Sequence, residues 1–427
     1  MPSASSLFRH LRYIGIACAA ILWGGPVLAA SPAKAVPSET AVIEHYADLA
    51  AAIFGDAHQE ALSLQQAVLA FLKTPSAETL TTAKAAWRRA RVPYMQTEVF
   101  RFGNPVVDDW EGQLNAWPLD EGLIDYVSND YTFALGNIGA TLNIIANPVI
   151  ELGGARLDTT TLSPAVIADL NELGGSEANV ATGYHAIEFL LWGQDLHGHA
   201  LGAGERPYTD YVEGDGCTHG NCDRRRQYLA AATQLLVDDL QYMAGQWQPG
   251  DNDNYRETFL SLAPSQALAR IFYGMGSLSL GELGGERIKV ALEANSTEDE
   301  HDCFSDNTHW SHYYNGLGIE NIFLGRYLRA DNSVLSGPSL QGLVAAKNAA
   351  ASKATIAALA DSMAALKKLT DVAEAQQQPQ KFDMLVAEGN EEGHQLLADI
   401  LAALVTQTRS LEQAAAAIDI DPNQLGY

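Results

Sequence analysis

The stretch Glu39-Thr40-Ala41-Val42-Ile43-Glu44-His45-Tyr46-Ala47-Asp48-Leu49-Ala50-Ala51-Ala52-Ile53-Phe54 decides the fold class. Its large apolar residues, Val42, Ile43, Tyr46, Leu49, Ile53 and Phe54, recur at the three- and four-residue intervals that line one face of an α-helix. The pattern runs on and predicts one helix over Glu39–Lys73. Thr74 and Pro75 then read as the N-cap and first-turn proline of a second helix carrying Leu80, Trp87 and Tyr94. Ser163-Pro164 repeats that signal, and helical spacing returns over Gln227–Met243, Leu340–Leu369 and Phe382–Leu404. Alternating runs are scarce and β-branched residues rarely cluster, so the expected class is all-α.

Long loops interrupt these helices. One spans Phe102–Asp120 and includes Trp110 and Trp117-Pro118-Leu119-Asp120; another spans Gly193–Asp223 and is rich in glycine. Irregular loops of this length in a helical protein are more often functional than mere linkers. Gln, Pro, Gly, Asp and Asn accumulate over Trp247–Asn254, which places a boundary between a first half, about 38–250, and a second, 251–420.

At the N-terminus, Arg9, His10 and Arg12 precede an apolar run from Tyr13 to Leu28, followed by the small residues Ala29, Ala30 and Ser31. That is the layout of a secretory signal peptide, residues 1–30, removed on export to the periplasm or cell envelope. The run is shorter than the roughly 20 apolar residues of a membrane-spanning helix. Cys18 lies mid-run without a leucine three positions before it, which argues against lipidation. The formal charge of −26 becomes −28 once Arg9 and Arg12 are gone. Such a charge repels nucleic acid and anionic lipid and attracts cations. A solvated acidic surface has the same composition, so acidity alone does not argue for a metal.

Three cysteines remain beyond that segment. Cys217 and Cys222 are spaced to close a small loop through Thr218–Asn221 in an oxidising compartment, and the open form fits the spacing equally well. A zinc knuckle using His219 lacks a second Cys/His pair nearby. Cys303 is left odd, expected to be buried and reduced.

The sharpest local signal is Gly183-Tyr184-His185-Ala186-Ile187-Glu188-Phe189-Leu190-Leu191-Trp192-Gly193. His185 and Glu188, three apart, share a helix face, while apolar residues cover nearly every other direction. A carboxylate buried there costs several kcal/mol unless a cation, a charge partner or a hydrogen-bond network receives it. Two readings fit: an internal Glu–Arg ion pair beside a hydrogen-bonded histidine, or a metal site, since imidazole with carboxylate suits iron, zinc or manganese. A second cluster runs from Glu298 through His301 to His309. Glu298 and His301 have the i, i+3 spacing of helical di-iron ligands, although the first pair runs in reverse order. Glu98, Glu282 and Glu286 are further helix carboxylates available to complete a shell; the alternative for the second cluster is a solvated acidic helix end. His-Glu-x-x-His, Gly-x-Ser-x-Gly, a phosphate-binding loop and Cys-x-x-Cys-His are all absent from the sequence. The run Arg224-Arg225-Arg226 reads as a helix face paired with acidic neighbours.

Gly183–Glu188 resembles the Gly-x-His-x-x-Glu motif of the imelysin family, whose members include the iron-regulated protein A group and, more distantly, relatives of the iron-uptake component EfeO. The similarity extends to Trp87, Arg91, Tyr94, Glu98, Phe100–Gly103, Trp117–Asp120, Arg206–Tyr211, Glu282–Arg287 and Glu300–His309, covering about residues 38–420. The resemblance implies two helical-bundle halves related by an internal duplication, with the site where they meet. It also implies an envelope location, a link to iron supply and a proposed peptidase activity for which His185 and Glu188 are the motif pair. The expected ligand is a metal ion, iron ahead of zinc, or a small iron-containing ligand; an outer-membrane or envelope partner protein is expected too, and nucleic acid is not. His185, Glu188, Glu98, Glu298, His301 and His309 are the expected metal ligands, and Arg101, Trp117 and Asp120 would shape the pocket around them. A metallopeptidase and a non-catalytic interaction module with a structural polar cluster are the competing functions.

Overall fold

In this computed structural model residues 36–152 and 154–421 are described, so the segment read as a signal peptide lies outside the described residues. The first helix, α1 (Glu39–Lys73), has the predicted bounds and is capped by Ser38, whose hydroxyl accepts the Ala41 N–H. It is followed by α2 (Ala77–Thr97), α3 (Pro105–Leu114), α4 (Pro164–Leu170), α5 (Gly183–Trp192) and α6 (Cys222–Trp247). Beyond the polar segment after Trp247 come α7 (Tyr255–Leu260), α8 (Pro264–Gly276), a π-helical stretch (Ser277–Lys289) and α9 (Val290–Ala294). The chain ends with α10 (Thr308–Leu324), α11 (Leu340–Lys347), α12 (Ala349–Ala373), α13 (Phe382–Val386) and α14 (Glu391–Ala416). Two antiparallel hairpins, β1 (Val149–Leu152) with β2 (Ala155–Asp158) and β3 (Arg326–Leu328) with β4 (Val334–Ser336), are the strands among the described residues. The class is all-α.

Several boundaries differ from the periodicity, each for a local reason. Helix α2 begins at a cap two residues later than expected: Ser76 accepts the Thr79 N–H while the Thr79 hydroxyl accepts the Ser76 N–H, a reciprocal box. The pattern over 340–369 is two helices, because Asn348 ends one and starts the next. Its N–H bonds the Val344 carbonyl, and its side chain accepts the Ala351 N–H. The pattern from Phe382 is likewise cut by Gly389, at φ +83°, and by Asn390, which caps α14. A stretch read as loop holds α3, opened by Pro105 in its first turn.

The core has three apolar clusters. One joins the C-terminal half of α1 to α2, α5 and α6. A second joins the N-terminal half of α1 to α8, α10 and the end of α14, and so draws residues from both sides of position 250. The third packs the end of the π-helical stretch against α12, α13 and α14. The arginine run pairs with acidic residues as expected, Arg225 with Asp125 and Arg226 with Glu213, and also clamps backbone carbonyls. Arg224 donates to the carbonyls of Ile144, Ile145 and Thr159, Arg225 is buried on Asp125, and Arg226 donates to Tyr211 O. Cys217 and Cys222 are disulfide-bonded, and His219 turns to Asp210, which removes the zinc-knuckle alternative. Cys303 is a free thiol, but half-buried rather than fully buried. No helix among the described residues is long and apolar enough to cross a membrane.

Candidate metal centre

All ten residues of α5 are buried. The helix starts at Gly183, φ +77°, where a Cβ would meet the Leu114 carbonyl oxygen at 2.4 Å. Only glycine permits that approach. It brings the following turn, with His185, close beneath the loop that follows α3.

His185 and Glu188 do share a face: His185 Nδ1 lies 3.0 Å from Glu188 Oε2. The other Glu188 oxygen accepts the Ser305 N–H at 3.0 Å. Glu188 therefore spends both oxygens within the protein and is not the partner of an arginine. When Nδ1–H donates to Glu188, the lone pair of His185 is on Nε2, which is buried and has no hydrogen-bond partner. The ring of His301 stands 4.8 Å away, edge to face, and its Nε2 is buried and unpartnered as well. Asp302 completes the group: one ligand atom from each of His185, His301 and Asp302 can be chosen so that all lie within 4.8 Å of one another. The two His/Glu-rich segments of the sequence thus meet in one place.

The surroundings fix these groups. Arg91, on α2, donates to Asp302 Oδ1 at 2.7 Å and to Asn115 Oδ1 at 2.5 Å. Ser311 and Asn307 donate to Asp302 Oδ2 at 2.5 and 2.9 Å. Burial opposes charge on Asp302, but Arg91 and His301 outweigh it and hold the carboxyl well below its ordinary range. Burial, with Arg91 beside it, depresses His185 to about 3, and burial with Arg287 nearby takes His301 well down. Both imidazoles are neutral at physiological pH, the form in which histidine binds a metal. Glu188 is pushed well up by burial and by Asp302.

The other expected residues divide between the surroundings of this group and places elsewhere. Trp117 packs its ring 5.3 Å from His301 and donates Nε1–H to the Glu300 carbonyl, so it positions His301. Glu98 is closed by Arg287 at 2.6 Å; Arg287 also holds Glu282 and Asn315. Arg101 pairs with Asp108, Glu111 and Glu282 and borders a cavity of about 390 Å³ that reaches His301 between Trp117 and Arg287. Asp120 accepts from Ala134 N and Asn137 Nδ2 and organises its own loop. His309 bonds Glu374 at 2.7 Å. Glu298 is exposed, and the helical i, i+3 geometry with His301 does not form: Asn295, at φ +50°, ends α9 and residues 296–307 contain no helix.

Asp302, Ser305 and Arg91 were not singled out as site groups from sequence. Arg91 carried a readable signal, an arginine four residues after Trp87 on the apolar face of α2, where it is 1% exposed. Asp302 carried none, because its role depends on the turn around it.

The imelysin family model matches residues 50–411. Iron-regulated protein A of Synechococcus elongatus is 24% identical over 275 residues, covering 62% of this chain and 58% of that protein. A crystal structure from Parabacteroides distasonis, described as an iron-regulated protein A precursor, superposes with TM-score 0.65 at 18% identity, covering 90% of this chain and 97% of that one. An imelysin-like protein from Psychrobacter arcticus gives 0.60 at 16% identity, covering 91% and 97%. With the family model covering most of its length, the chain belongs to the imelysin family.

Proposed function

We propose that this is an exported, iron-associated binding protein that holds a metal ion, iron ahead of zinc, through His185, His301 and Asp302. The observation that carries the reading is the meeting of His185, His301 and Asp302, each offering a ligand atom within 4.8 Å of the others, with the Nε2 atoms of both imidazoles buried and unpartnered. A buried polar atom without a partner costs about 1–3 kcal/mol, and two of them on the imidazoles of one buried group favour a ligand there. Two imidazoles and one carboxylate form the donor set used for non-haem Fe(II), and zinc accepts the same atoms. Glu188 serves here as the group that orients His185, and Arg91, Asn307 and Ser311 orient Asp302; hydrogen-bonded ligands of this kind are the rule around protein-bound metals. The name of the Synechococcus relative favours iron. The neighbouring cavity gives His301 an approach from outside, and its lining, with Glu172, Glu177, Glu286 and Asp299 beside the ion-paired Arg101 and Arg287, suits a cation. Export is supported by the N-terminal sequence and by the Cys217–Cys222 disulfide. An envelope partner protein would complete an iron-handling role.

The test is metal content of the chain purified without chelators or a polyhistidine tag, beside His185→Ala and His301→Ala. About one equivalent in the wild type, lost in both variants with helical content intact, is the expected result. No metal after anaerobic Fe(II) and Zn(II) titration would overturn the reading. Three protein ligands also leave a coordination position open, which favours a metallopeptidase as the second reading. Chelator-sensitive cleavage of a generic protein substrate would decide for it.

A further inference from the structure

On the other side of the turn that carries His301 and Asp302 lies a different group. We propose that Glu300, Asp306 and Asp383 form a second cation site, for a hard divalent ion of the Ca²⁺ or Mn²⁺ kind. One oxygen from each can be chosen so that all lie within 4.8 Å of one another, and all three residues are buried, Glu300 and Asp383 at 1% exposure and Asp306 at 6%. Glu300 and Asp306 flank the turn. Asp383 arrives independently, from α13, which Phe382, Leu385 and Val386 anchor in the third core cluster.

Hydrogen bonding does not account for the arrangement. Glu300 Oε1, Asp306 Oδ1 and both oxygens of Asp383 have no partner. The N–H groups of Asp383 and Met384 face the Asp383 carboxylate outside hydrogen-bond geometry, and the Thr308 hydroxyl lies beside Glu300. Nor does a protein cation neutralise the cluster. Lys381, Arg88 and His197 are the basic groups that face Asp306, and each is committed elsewhere: to Glu374 at 2.9 Å, to Ser305 O at 2.8 Å and to Asp195 at 2.9 Å. Asp195 adds a further negative charge facing all three carboxylates.

Buried carboxylates this close need either shared protons or a cation. The doubly unpartnered Asp383, aimed at the other two from an anchored helix, favours the cation. An all-oxygen set selects hard ions, in contrast to the imidazole-containing group across the turn. An ion bound here would tie α13 to the turn that presents His301 and Asp302.

Mn²⁺ electron paramagnetic resonance with Ca²⁺ competition, on the full chain, tests the assignment against Asp383→Asn, Asp306→Asn and His185→Ala. The expected result is about one Ca²⁺-displaceable equivalent of Mn²⁺, weakened at least about tenfold in both Asn variants and kept in His185→Ala. The melting temperature should rise with Ca²⁺ in the wild type and not in the Asn variants. Absence of saturable binding in the wild type would overturn the proposal and leave shared protons. Loss of Mn²⁺ in His185→Ala with retention in Asp306→Asn would assign the ion to the imidazole group instead. If Asp383→Asn fails to fold, Asp306→Asn carries the test alone.

Discussion

Two buried polar groups in this protein are built on opposite principles. Around Asp125, every carboxylate oxygen is used: Arg225 reaches Asp125 with Nε at 2.6 Å and Nη2 at 3.0 Å, and Arg206 with Nη1 at 2.7 Å. Neighbouring Asp210 takes Tyr126, Thr218, His219 and Arg206. Around His185 and His301 the carboxylates are equally well served, but the Nε2 atoms of both imidazoles are not. The first arrangement leaves no Asp125 oxygen unused, although Arg206 Nε is buried without a partner, and it closes the loops onto α6. The second leaves imidazole nitrogens unused instead. Burial and charge do not separate the two; the kind of atom left unused does, a guanidinium N–H in the first and imidazole nitrogens in the second.

Breaking the Asp125 group should have the largest effect on stability. Asp125→Ala leaves Arg206 and Arg225 buried without their shared partner and should cost about 3–5 kcal/mol in urea denaturation. His301→Gln, by contrast, should leave folding nearly intact while removing metal, so equal destabilisation by the two variants would erase the distinction. Gly183→Ala tests how α5 is delivered to the site. The left-handed φ and the 2.4 Å approach to Leu114 O predict a loss of about 2–3 kcal/mol, read as a lower melting temperature, with reduced metal binding.

A finer probe is Glu188→Gln, which preserves shape but weakens the hold on His185 Nδ1. Metal affinity should fall about 10–100-fold in an equilibrium titration with an unchanged circular dichroism spectrum. Unchanged affinity would remove Glu188 from the orienting role. The smallest effect concerns Asp239, which lies between the two extremes. Gln113 serves one of its oxygens, while the other faces the Trp110 indole N–H outside hydrogen-bond geometry. Burial raises this carboxyl to about 6. The folded state then holds the proton more tightly than the unfolded one, so Asp239 favours folding below its unfolded pKa and that contribution disappears as pH rises through about 6. Asp239→Asn should therefore gain about 1–2 kcal/mol on the wild type at pH 7 relative to pH 4, measured by paired denaturation curves. A constant difference between the curves would refute the shift.

By itself the sequence determined the helical class, the bounds of α1, the buried character of α5 and the shared face of His185 and Glu188, because these depend on residues three or four apart. It also marked Glu300–His309 as a segment of interest, without its geometry. Tertiary structure alone decided that His301 meets His185, since the contact crosses more than a hundred positions and depends on a non-helical turn that periodicity reads as helix. It likewise set Glu188 between His185 and the Ser305 N–H, gave Glu98 to Arg287 and sent Asp120 to its own loop. The physical reason is the same in each case. A carboxylate's role is set by the donor that reaches it first, and the residues that supply those donors, Ser305, Arg287 and Asn137, are distant in the chain or lie across an irregular turn.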